Sequence, residues 1–256
     1  MFAVRLRSDV RPVRRHLRML RRRSNAGAPS CRGMPSASAF AAANAATMFA
    51  AEDSGHYSPS VKQTGWKSVS NERHFANAHL EVVTDHVQTP ARSEPRAWTI
   101  VHRKAAVVVA PMTRDGKIVL IHQERIPIRQ AIWEMPSGQI DDHAADHEKI
   151  KNVALREVRE ETGYKLAQDG TLIPLGHYFS SPGFTDERGY FFLACPVQPC
   201  KEGPARDEGE SILDCREFTV EEIRRMIAEN EIRDANTLGM FARLSVSRLL
   251  PVEVHQ

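Results

Sequence analysis

No stretch of this chain approaches the roughly 18 consecutive apolar residues that a membrane-spanning helix requires, so the sequence excludes such a helix. Cysteine is scarce as well. Cys31, Cys195, Cys200 and Cys215 form no C-x-x-C pair and have no histidine at zinc-finger spacing, so they read as free thiols in a reducing compartment. There is no internal repeat. Lysine is missing from the first 50 residues, and so are acids apart from Asp9, against ten arginines. This head carries +9, which leaves −6 for the rest of a chain whose total is +3.

The composition that remains is ordinary for a globular protein, with 41% hydrophobic and 26% charged residues in 256. The head, "MFAVRLRSDVRPVRRHLRMLRRR", interleaves its arginines with Phe2, Val4, Leu6, Val10, Val13, Leu17 and Leu20. It resembles a mitochondrial transit peptide, and the Ala/Ser-rich run behind it reads as a disordered lead-in. Residues 1–50 are therefore expected to be a presequence and the mature protein to reside in the mitochondrial matrix. A basic tail that binds nucleic acid is the alternative, but it would make no use of the leucines and valines.

Ordered structure is expected from about residue 65. A small β element over about 65–100 precedes a hairpin of residues 105–112 and 117–124, turned at Asp115-Gly116. Short strands follow at 131–136, 171–179, 189–197 and 211–218. Thr219 and Glu222 make a capping box for a helix over "VEEIRRMIAEN", and "DANTLGMFARLSVSRLL" reads as a last helix. Strands, one helix, strands and two helices give an α+β order with a mixed sheet covered by helices. Linker and small element occupy 51–100, and the main domain 101–256.

The helix between the strands carries the chemistry. In "NVALREVREETGY", Glu157 and Glu161 fall on the side of the helix shared by Ile150, Val153, Ala154 and Val158. Glu160 sits at its flank, while Asn152, Arg156 and Arg159 lie opposite. Solvated glutamates belong opposite an apolar stripe, not on it. Two like charges about 4 Å apart repel by roughly 1 kcal/mol in water and roughly 4 at an effective dielectric of 20. The end of a helix before Gly163, the expected C-cap, also disfavours anions. A divalent cation cancels all of these terms. Oxygen donors alone point to a hard ion, Mg²⁺, with Mn²⁺ as a substitute.

"REVREETGY" resembles the second half of the Nudix hydrolase signature, in which a Gly, five residues, a Glu and seven residues lead to Arg-Glu-aliphatic-x-Glu-Glu-x-Gly-aliphatic. Glu148 stands seven residues before Arg156, as that pattern asks. Between Gly138 and Glu148 the chain departs from it, with nine residues instead of five, so that "DDHAADH" carries an insertion that reads as a surface loop. The resemblance implies a Nudix-type α/β/α sandwich with a mixed sheet. It also implies metal ligation by Glu157, Glu160, Glu161 and the carbonyl of Ser137, with Glu160 in a catalytic role and Arg156 bracing the helix through a carboxylate.

Flanking segments resemble the ADP-ribose pyrophosphatase branch of that family: "IHQERIPIRQAIWEMPSGQID" before the box, "SSPGFTDERGYFFLA" after it and "EIRDANTLGMFARL" at the close. The resemblance implies that Arg125, Glu134, Gly138 and Pro182 contact substrate. Glu187 would act as general base from a mobile loop that closes over it. Arg125 would clamp a phosphate. The implied reaction is Mg²⁺-dependent hydrolysis of ADP-ribose, or a related nucleoside diphosphate sugar, to AMP and ribose 5-phosphate. The implied assembly is a homodimer paired through the N-terminal element, with adenine gripped between subunits. Two other readings stay open: removal of pyrophosphate from RNA 5′ ends, and a non-catalytic subunit of a mitochondrial complex.

Overall fold

The structure, a computed structural model, describes residues 65–141, 146–206 and 209–251. The arginine-rich head, Asp142 and His143 therefore lie outside the described residues.

Three strands come first, β1 (Lys67–Ala76), β2 (Leu80–Thr89) and β3 (Arg92–Arg103), forming an antiparallel sheet of their own in the order β1-β2-β3. The small N-terminal element expected from sequence is thus all β. Little covers it: every residue of β1 is exposed, and Trp66 (55%) and Trp98 (57%) keep more than half their surface in solvent.

The second sheet contains β4 (Ala106–Thr113), β5 (Ile118–Arg125), β6 (Gln130–Glu134), β7 (Ser137–Gln139), β8 (Tyr164–Phe179), β9 (Arg188–Pro199) and β10 (Ile212–Phe218). Its order is β10-β5-β4-β9-β8, with β6 added to β5 and β7 to β4. β4 and β9 run parallel and every other pairing is antiparallel, which makes the sheet mixed, as expected. Helices α1 (His147–Glu157), α2 (Val220–Ala228) and α3 (Ala235–Val246) cover its two faces.

Strand alternation assigns residues to the two faces. Val108, Ala110 and Met112 of β4, with Ile118 and Leu120 of β5, pack with Ile223 and Met226 of α2 and Met240 and Leu244 of α3. Their neighbours Val107, Val109 and Val119 face the other way and pack with Ile150 and Ala154 of α1 and with Val158. A central strand covered on both sides must be apolar at every position, which is why "AVVVAPMT" reads as an unbroken run. The capping box forms as the sequence predicts: the Thr219 hydroxyl accepts from Glu222 N–H, and the Glu222 carboxylate accepts from Thr219 N–H.

Besides β7, a short strand not expected from the sequence, two elements differ from expectation. β8 starts at Tyr164 instead of 171, because Gly163 (φ 73°) turns the chain out of the helix straight into the strand. A register shift between Leu166 and Thr171 then absorbs the extra residues. The helix itself also changes character, since Val158–Thr162 forms a π-turn after α1.

Candidate metal and substrate site

Asp146 opens α1, its carboxylate accepting from the Lys149 N–H, and the helix runs inward along the face the periodicity predicts. Ile150, Ala154, Glu157, Val158 and Glu161 are buried; Asn152, Arg156 and Arg159 are exposed. Glu157 and Glu161 retain only 4% and 2% of their surface. π-turns gather at functional sites because they shift side-chain direction and leave carbonyls without helical partners. Here the carbonyl of Glu160 accepts from Ala205 N–H at 3.0 Å, and that of Glu161 from Arg206 Nε at 3.4 Å. The segment that follows β9 is thereby docked on the π-turn, and it brings a third acid.

That acid is Glu210. One carboxylate oxygen each from Glu157, Glu161 and Glu210 lies within 4.8 Å of the others, the group that could hold a cation among the described residues. Sequence reading missed Glu210, although the acidic run "DEGE" directly before a strand was a signal that could have found it. Burial pushes the Glu161 carboxyl up from 4.5 to about 9; the Ser137 N–H, 2.8 Å from Oε2, opposes this, and the charges of Glu210 and Glu157 add to it.

Gly138 is where the chain makes room for this arrangement. A Cβ there would overlap the Glu157 carboxylate as it stands, so any other residue in β7 would push that side chain aside. Gly138→Ala is expected to displace Glu157 and weaken divalent-cation binding about 10-fold or more. Calorimetric titration with Mn²⁺ checks this, and unchanged affinity would show that the carboxylate has another place to go.

The other expected ligands take different places. Glu160 is held by Arg156, whose Nη1 lies 2.6 Å from its Oε2 while Nη2 lies 2.6 Å from Glu157 Oε1. Arg156 does brace the helix through carboxylates, two of them, and Glu160 stands outside the three-glutamate group. Ser137 contributes its N–H to Glu161, which sets β7 beside the π-turn.

Arg125 and Glu134, both assigned to substrate, meet each other. Arg125 Nε donates to Glu134 Oε1 at 2.9 Å and Nη2 to Oε2 at 2.7 Å, a two-point pair that fixes the guanidinium plane and leaves Nη1 unengaged with Glu134. Burial raises the Glu134 pKa although Arg125 pulls it down, while Arg125, lowered by burial, is raised on balance by Glu134 and then by Glu161. Strand alternation puts Arg125 on the same face of β5 as Val119, the face that α1 covers. Gln123, two residues earlier and on the same side, has a buried side-chain oxygen with no hydrogen-bond partner.

Pro182 is exposed in the turn Ser181–Thr185, whose Phe184 and Thr185 N–H groups both donate to the Ser181 carbonyl. Glu187 belongs to that loop but not to the glutamate group. Arg103 Nη1 lies 3.0 Å from its Oε1, and Ser180 Oγ donates to its Oε2 at 2.7 Å. The sequence suggests a mobile loop; the structure shows one tied to β3. Val101 N–H donates to the Phe184 carbonyl, Trp98 Nε1 to the Gly183 carbonyl, and His102 Nδ1 lies 2.7 Å from Asp186. Asp141 is likewise engaged, by Lys104 at 2.9 Å.

The donor set fits a hard divalent cation. It is all oxygen, it carries more negative charge than burial tolerates without a counter-ion, and the backbone is cut back to glycine beside it.

Comparison with known proteins converges on one group. The family described as "NUDIX domain" matches residues 101–238. An ADP-ribose pyrophosphatase of Bacillus subtilis (strain 168) is 29% identical over 193 residues, 75% of this chain and 100% of that protein. A methanol dehydrogenase activator of Bacillus methanolicus is 31% identical over 172 residues, 67% of this chain and 88% of the relative. A solved structure described as an ADP compounds hydrolase shares the fold, with a TM-score of 0.58 at 16% identity over 73% of this chain and 96% of its own.

Proposed function

This chain belongs to the NUDIX family, whose domain takes in more than half of it, and within that family we propose a Mg²⁺-dependent hydrolase that splits ADP-ribose into AMP and ribose 5-phosphate. The observation that carries this reading is the extent of the match to the Bacillus subtilis ADP-ribose pyrophosphatase. A match over 75% of the chain is too long to fit within 101–256, so it takes in the β1–β3 sheet as well as the glutamate helix.

Glu157 and Glu161, with Glu210 and then Glu160 from its Arg156 pair, would hold the cation. When bound, Mg²⁺ polarises the phosphate oxygens and lowers the pKa of the attacking water. Arg125, with its plane fixed by Glu134, presents Nη1 to a phosphate of the substrate. A carboxylate must take the water's proton. Glu210 is supported for this by its place beside Glu157 and Glu161, whereas Glu187 would first have to leave Arg103 and Ser180.

The nucleoside end falls to the N-terminal sheet in this reading. Its exposed Trp66 and Trp98 offer flat apolar rings suited to a purine, and Trp98 is anchored to the post-box loop. A sheet with so much uncovered aromatic surface is suited to pairing with a second copy, so the protein acts as a homodimer. The arginine-rich head directs it to the mitochondrial matrix.

The test is direct. The full chain is incubated with Mg²⁺ and, in parallel, ADP-ribose, ADP-glucose, diadenosine polyphosphates and 5′-triphosphorylated RNA, and the products are identified. AMP with ribose 5-phosphate from ADP-ribose is the expected outcome. Pyrophosphate released from RNA, or no turnover on any of the four, would overturn the reading.

A further inference from the structure

The start of α3 reaches across the molecule to β6, the strand that carries Glu134. β6 ends at Glu134, where its ladder with β5 stops at the Ile121 pair. The next residue, Met135, is 1% exposed, so its N–H lies beyond the ladder and out of reach of water. An orphaned N–H at such a place is strongly unfavourable. It donates instead to Thr237 Oγ1 at 2.9 Å, 102 residues along the chain.

Thr237 is fully buried in the first turn of α3. Its hydroxyl, while accepting from Met135, donates to Asp234 Oδ2 at 2.7 Å. That oxygen also accepts from the Thr237 N–H at 2.7 Å, as helix N-caps do. A charged carboxylate therefore orients the hydroxyl that fixes the backbone of Met135, and charge-assisted bonds of this kind are the strong ones. One residue before Asp234, Arg233 Nη2 donates to Gln130 Oε1 at 2.7 Å. The same short segment thus holds both ends of β6.

What lies on either side of Met135 gives this brace its meaning. Glu134 fixes Arg125. Pro136 accepts from Val109 N–H at 2.9 Å, and Ser137 N–H donates to Glu161. The corner from 134 to 138 holds together the phosphate-binding side and the cation-binding side, and Thr237 supports its middle. Core packing alone would be served as well by valine, which has the same shape but cannot bond Met135.

Resting on the pyrophosphohydrolase reading above, we infer that Thr237, oriented by Asp234 and assisted by Arg233, is a positioning residue that sets the Glu134–Gly138 corner for substrate and cation together. Thr237→Val, Thr237→Ser and Arg233→Ala are compared with the wild-type chain for kcat and KM, for Mn²⁺ affinity by calorimetry without substrate, and for thermal midpoint. Thr237→Val is expected to raise KM and weaken Mn²⁺ binding, each about 10-fold. Thr237→Ser, which keeps the hydroxyl, should restore both to within about twofold. Arg233→Ala, at the surface, should raise KM a few-fold and leave Mn²⁺ affinity alone.

A folded Thr237→Val protein with KM and Mn²⁺ affinity as in wild type, however much its midpoint falls, would reduce Thr237 to a packing residue and overturn the inference. If Thr237→Val does not fold, Arg233→Ala decides, and an unchanged KM overturns it. Failure of the ADP-ribose reading shows instead in the wild-type chain, and the Mn²⁺ measurement, made without substrate, stands apart from it.

Discussion

Glu161→Gln is expected to abolish divalent-cation binding at the glutamate group and to lower turnover by more than about 100-fold. The substitution keeps the shape and the acceptor for the Ser137 N–H, 2.8 Å away, so the fold should survive. It removes a carboxyl of the three that could give up its proton to a cation and take on negative charge in its place, leaving an uncharged amide. Stability should change in a way that depends on pH. Burial raises the Glu161 pKa to about 9 in the folded protein, so its contribution to stability is complete below about 4.5 and is lost as pH rises through about 9. The metal-free wild type should therefore melt at a lower temperature at pH 9 than at pH 6, and added Mg²⁺ should recover more stability at pH 9, where about half of the Glu161 carboxyls have already lost the proton a cation must displace. Glu161→Gln should flatten both dependences. Thermal melts at the two pH values, with and without Mg²⁺, read this out; a wild type indifferent to Mg²⁺ at pH 9 would remove the cation from the site.

The readable parts of the sequence were those in which one local period decides the outcome. β4 is apolar from Ala106 to Met112 because helices cover both faces, and Glu157 stands on the apolar side of α1 whatever the rest of the chain does; Glu161, one turn on, stays buried as well. The period fails at Val158–Thr162, where the π-turn replaces the α-helical advance and leaves Glu160 with Arg156. Pairings between distant segments were out of reach for a different reason. Arg125 and Glu134 were each assigned to the substrate, but nothing local to either says that they bond one another across the β5–β6 hairpin. Thr237 bonding Met135 and the loop of Glu210 docking on the π-turn are long-range packing results of the same kind.

Glu210→Gln should lower kcat by about 10²- to 10⁴-fold, the range for losing a general base, while Glu187→Gln should have a much smaller effect. The sequence favoured Glu187, since it follows a Ser-Pro-Gly turn on an acid-bearing loop. The structure joins that loop to β3 by Trp98, Val101 and His102, and engages the Glu187 carboxylate with Arg103 and Ser180. To reach the phosphate, Glu187 would first have to part from Arg103, 3.0 Å away, and from Ser180 Oγ. Glu210 already has a carboxylate oxygen within 4.8 Å of those of Glu157 and Glu161, where the water would be activated. Because Glu210 would also face a bound cation, kcat for each variant is measured at saturating Mg²⁺, so that loss of binding is separated from loss of the base. A pH profile distinguishes the two roles further: removal of the base should erase the rise of kcat on the acidic side, whereas removal of a loop contact should leave it in place. Should Glu187→Gln erase that rise and Glu210→Gln keep it, the loop must leave β3 during turnover to bring Glu187 to the phosphate, and Arg103→Ala, by freeing it, should then alter kcat.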